Sequence, residues 1–129
     1  MNELKMTVKG IEVNLATTLR VAYNIQSKFG HKPYTQIFAG MHDLDINDQV
    51  KMLFEAYMVG NPKNEANLTE LDFRNEILDG VGGVELTFLL TELVNGVMYG
   101  NLTPPELKAK KLHAQRMDLM EELEPEENV

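Results

Sequence analysis

The stretch LKMTVKGIEVNL, Leu4 to Leu15, decides the class of fold. Leu4, Met6 and Val8 recur at period two, Lys9-Gly10 offers a two-residue turn, and Ile11, Val13 and Leu15 resume the alternation. Apolar alternation on both sides of a short glycine-bearing turn predicts a β-hairpin. A lone hairpin is marginal in water, so its apolar face has to lie on helices or pair with another chain.

Beyond Leu15 the period changes to that of helices. Asn14 or Thr17 is placed to cap a helix running to about Phe29, with Leu19, Ala22, Tyr23 and Phe29 as its apolar stripe and Gly30 ending it in a left-handed conformation. Pro33 suits the first turn of a short helix carrying Tyr34, Ile37 and Phe38, closed by Gly40. Ile46, Val50, Leu53, Phe54 and Tyr57 form the most regular stripe in the chain, stopped by Gly60-Asn61-Pro62 and a polar loop, PKNEAN. Thr69 caps a further helix through Leu71 and Leu78, with Glu70 and Asp72 at its positive end. After Gly80-Val81-Gly82-Gly83, the segment Val84–Tyr99 is apolar nearly all round, so it reads as the most buried helix. Thr103-Pro104 begins a last helix, basic at Lys108, Lys110, Lys111, His113 and Arg116, then acidic from Glu121 to Glu127.

The fold class is therefore mainly α (α+β), a small domain of about five to six helices with an N-terminal β-hairpin. Residues 1–100 are expected to form that domain, and 101–129 a C-terminal helical extension with an acidic, disordered end.

Composition narrows the function. The 129 residues are 43% hydrophobic and 25% charged, with a formal net charge of −8. Such an acidic surface argues against binding a phosphate backbone. Without cysteine there is no disulfide, thiolate chemistry or Cys-based zinc site. MNELKMTVKG places charges where a signal peptide needs an apolar run, and Val84–Tyr99 is interrupted by Glu85, Glu92, Asn95 and Gly96, so neither a leader nor a membrane span is expected. The expected setting is cytosolic.

Several motifs suggest chemistry and then withdraw it. Asp43, Asp45 and Asn47 match the first ligands of a calcium loop, but Asp48 stands where its glycine belongs and Phe54 where its bidentate glutamate belongs. Asp45 is better read as the N-cap of the helix that Ile46 begins. His31, His42 and His113 form no HExxH or HxH pair, and Ser27 has no G-x-S-x-G elbow around it. Gly80–Gly83 follows a helix, with no Lys-Ser/Thr pair after it, and reads as a helix–helix joint needing positive φ. No catalytic residue, metal or cofactor is therefore expected. Beyond the compact domain, Leu112, Met117, Leu119, Met120 and Leu123 are candidates for partner binding, because an adaptable apolar surface there has less core to join.

The segment MTVKGIEVNLATTLRVAYNIQSKFG resembles the opening of tail assembly chaperones of long-tailed, non-contractile bacteriophages. Those begin with a short strand pair around a glycine turn, then a helix ending in an aromatic-Gly pair, here Phe29-Gly30. The apolar helix QVKMLFEAYMVGNP and a later acidic segment before a final apolar helix are similar too, so the resemblance spans roughly residues 5–100. It implies a non-enzymatic protein of the host cytoplasm, absent from the mature virion. Such a protein binds the tape measure protein and recruits tail tube protein, the latter through a longer, frameshifted form. Self-association is expected, since a long helical client rewards many weak contacts held together. The alternative is a structural component, a head–tail connector or tail-completion protein, retained in the particle.

Overall fold

A computed structural model describes residues 4–100. The expected hairpin is present: β1 (Leu4–Val8) pairs antiparallel with β2 (Ile11–Leu15), with Met6 opposite Val13 and Leu4 opposite Leu15. Lys9 and Gly10 both take positive φ, 53° and 76°, as a two-residue turn matching the twist of the strands requires. Leu4, Met6, Val8, Val13 and Leu15 are buried. Ile11, on the same face but at the tip, stays 40% exposed.

Among the described residues five α-helices follow: α1 (Leu19–Lys28), α2 (Tyr34–Ala39), α3 (Ile46–Gly60), α4 (Glu70–Gly80) and α5 (Gly83–Tyr99). A single 3-10 turn, Met41–Asp43, lies between α2 and α3. Helix α3 is the centre, packing against β2, α1, α4 and α5. Its buried residues exceed the expected stripe: Val50, Leu53 and Tyr57 are joined by Met52 and Ala56, whereas Ile46 at its start remains exposed. A helix surrounded by neighbours buries more than one stripe.

The expected caps of α3 and α4 are both present. The Asp48 backbone N–H donates to Asp45 Oδ1 at 2.9 Å, satisfying one of the free donors at the start of α3. At α4, the Asp72 N–H donates to Thr69 Oγ1 at 3.2 Å while the Thr69 N–H donates to Asp72 Oδ2 at 2.8 Å, a reciprocal capping box. Gly30 ends the α1 region with φ 76°, and the adjoining His31 N–H donates to the Gln26 carbonyl at 2.8 Å.

Other expectations need correction. Thr18, not Asn14 or Thr17, occupies the N-cap position of α1, and its side chain makes no capping bond. Pro33 is the N-cap of α2 rather than a residue of its first turn. In α1 the buried residues are Val21, Ala22 and Ile25, while Leu19 and Tyr23 are 60% and 66% exposed. In α4 Phe73 and Ile77 are buried and the expected Leu71 and Leu78 are exposed. Phe73 joins an aromatic cluster, its ring centroid 5.4 Å from Phe54 and 5.1 Å from Tyr57. The Gly80–Gly83 joint takes no positive φ; Val81 and Gly82 are simply extended. The expected last helix and the candidate residues Leu112, Met117, Leu119, Met120 and Leu123 lie outside the described residues.

Gly96 is needed for contact. A Cβ there would lie 2.4 Å from Thr17 Cβ, so the approach of the α1 entrance to α5 depends on its absence. Two outcomes follow from these features. Asp45→Ala and Thr69→Ala should each lower unfolding free energy by about 1 kcal/mol in urea titrations, and calcium should leave wild-type melting unchanged. Gly96→Ala should destabilise by about 1–3 kcal/mol despite alanine's higher helix propensity, because the overpacking outweighs it.

Candidate functional site

Among the described residues the buried polar side chains are occupied by structure. Gln49, buried on α3, donates from Nε2 to the Met41 carbonyl at 3.0 Å and so holds the 3-10 turn. The buried Glu55 carboxylate meets Lys28 Nζ at 3.4 Å, tying α3 to the end of α1. In the loop after α3, Asn64 accepts from the Tyr57 hydroxyl and from the Leu68 N–H, and donates to the Leu68 carbonyl at 2.8 Å. Asn64 and Asn67 take positive φ, 47° and 55°, which asparagine tolerates better than most residues. Burial pushes the Tyr57 hydroxyl pKa up, so it remains a donor. The Thr69 backbone N–H holds the Asp72 carboxyl below its ordinary range, with the Thr69 hydroxyl and Lys9 acting in the same direction. Among the described residues no buried side-chain nitrogen or oxygen lacks a partner.

Among the described residues there is no group of three His, Cys, Asp or Glu side chains that could hold a metal ion. A shallow depression of about 260 Å³ lies between the hairpin and the α4–α5 joint. Two of its three carboxylates are engaged: Glu12 pairs with Lys5 Nζ at 3.7 Å and Glu76 Oε1 accepts from the Lys9 N–H at 3.0 Å, while Glu85 at the start of α5 is the third. The Lys9–Glu76 bond at this depression ties the hairpin to α4.

The unusual surface is apolar, and it lies on α5. The sequence suggests that this helix is buried all round; instead only Leu89, Leu90, Leu93 and Val97 are buried. The opposite side presents Val84, Phe88 and Met98, 88%, 57% and 48% exposed. At helical spacing these residues fall with Thr91 and Asn95 in one stripe, i, i+4, i+7, i+11 and i+14, about 21 Å long at the helical rise. Glu85 and Glu92, seven residues apart, share one flank. Scattered exposed hydrophobics such as Ile46 or Leu71 are ordinary, whereas three exposed apolar residues in register on one helix face mark a candidate contact surface. The signal was present in the sequence: Thr91 and Asn95 share the face of Val84 and Phe88, and polar residues in that phase identify the solvent side.

No protein-family model, curated protein or solved structure matches the chain.

If α5 exposes Phe88 for contact, that ring contributes little to folding. Phe88→Ser should change unfolding free energy by no more than about 0.5 kcal/mol. Phe73→Ala, which empties the aromatic cluster, should cost about 3–5 kcal/mol in the same titration.

Proposed function

We propose that this protein works by contact rather than by catalysis, as a tail assembly chaperone of a long-tailed, non-contractile bacteriophage. It binds the tape measure protein in the host cytoplasm, keeps that long helical client soluble, and helps bring tail tube protein to it. The observation that carries the binding part of this reading is the exposed apolar stripe of α5, in a domain whose buried polar groups are partnered. The assignment to tail assembly draws on the resemblance of the Met6–Gly30 segment, and the hairpin, the α1 helix and the Phe29-Gly30 ending agree with that pattern. Leu112, Met117, Leu119, Met120 and Leu123 remain part of the proposed client-binding surface. Repeated weak contacts on an extended client favour a self-associating chaperone, because linked sites raise effective concentration.

Co-expression with the tape measure protein of the same phage tests this. A soluble complex that co-purifies, together with absence of the chain from purified virions by mass spectrometry, is the expected result. A tape measure protein that stays insoluble and uncaptured would overturn the chaperone role. Recovery of the chain in stoichiometric amounts from mature particles would assign it to the structural components instead.

A further inference from the structure

The face of α5 that carries Val84, Phe88 and Met98 has a charge character as well as an apolar one. The helix contains Glu85 and Glu92 and no Lys, Arg or His. Among the described residues neither carboxylate has an ion-pair partner, in contrast to Glu12, Asp48, Glu55 and Asp72, each of which has a lysine within 4.0 Å. Glu85 and Glu92 lie two turns apart, on the same flank of the stripe. A helix face with Val84 and Phe88 at one end and Met98 at the other, Thr91 and Asn95 between them and Glu85 and Glu92 along one border, matches the shape and charge of one kind of partner. That partner is a second helix with its own apolar stripe and with Lys or Arg at i and i+7 along its edge.

We infer that the outer face of α5 is a docking site for a basic amphipathic helix. Val84, Phe88 and Met98 meet its apolar stripe, and Glu85 and Glu92 set its orientation by pairing with its cations. Apolar burial supplies the affinity and the carboxylates the selectivity, since complementary charge discriminates between partners more than it tightens any one of them. The α5 helix of a second copy is a poorer occupant. Two α5 helices face to face would bring four carboxylates together with no basic residue of α5 to offset them, on a chain whose net charge is −8. The inference rests on the reading that this face binds a partner, and adds the partner's chemistry.

The test uses the full 129-residue chain and two synthetic amphipathic helices of about 20 residues, long enough to follow α5. Both carry the same leucine stripe; one has Lys and the other Glu at the flanking positions. In fluorescence anisotropy the Lys-flanked peptide should bind, with the Glu-flanked peptide weaker by about tenfold or more at low salt and the gap closing at high salt. Phe88→Asp should weaken the Lys-flanked peptide by at least about tenfold, with circular dichroism confirming that the variant is folded. Glu85→Lys, at an exposed position, should narrow the difference between the peptides. Equal binding of the two peptides, binding indifferent to Phe88→Asp, or no binding of either would overturn the inference. So would a wild-type dimer in sedimentation that Phe88→Asp dissociates, because the occupant would then be a second copy. Capture of the tape measure protein undiminished by Phe88→Asp would sink this site and leave the chaperone role standing. Peptide binding without such capture would sink the chaperone role alone.

Discussion

A two-stranded hairpin has one apolar face and no further strands to share it with, so the fold depends on seating that face against α3. The seat is made with backbone as well as side chains. The Ala16 N–H donates to the Ala56 carbonyl at 2.9 Å, and Asn61 Nδ2 donates to the Asn14 carbonyl at 2.9 Å. Gly60 permits this approach, since a Cβ there would stand 3.3 Å from Ala16 N and 3.4 Å from the Asn14 carbonyl oxygen. The other end of the hairpin is held on α4, where Glu76 takes the Lys9 N–H and Asp72 lies 3.7 Å from Lys9 Nζ. With both ends tied, the sheet closes one side of the core, and the remaining helices arrange around α3.

That arrangement consumes the residues that most resemble functional ones. Asp43, Asp45 and Asn47 match the start of a calcium loop, yet Asp45 caps α3; Asn64, in the polar loop after α3, braces Tyr57 and Leu68. In a domain this small, each buried or half-buried polar group must find a partner, and most partners are backbone groups at helix ends and turns. The apolar surplus left for contact with other molecules is Val84, Phe88 and Met98 on α5.

Elements were legible where a local rule sufficed. Period two around Lys9-Gly10, the capping pair Thr69 and Asp72, the cap at Asp45 and the left-handed Gly30 each follow from residues within a few positions of one another. Faces were legible less often. In α1 the stripe through Leu19 and Tyr23 and the one through Val21 and Ile25 both satisfy helical spacing and share Ala22, so periodicity alone does not choose. In α4 the same ambiguity separates Leu71 and Leu78 from Phe73 and Ile77. Helix α5 misled differently, because counting apolar residues hid the phase of Thr91 and Asn95.

The sequence by itself determined the hairpin, the order of the helices among the described residues and where two of them start, because turns, caps and periods are short-range chemistry. Only the tertiary structure decided which side of each helix is inside. Thr17 against Gly96, Phe73 between Phe54 and Tyr57, and Lys28 reaching Glu55 are contacts between residues from 16 to 79 positions apart in the chain. Each selects one rotation of a helix from several that local pattern allows equally. The exposed stripe of α5 is a product of that selection: burying Leu89, Leu90, Leu93 and Val97 turns Val84, Phe88 and Met98 to the solvent.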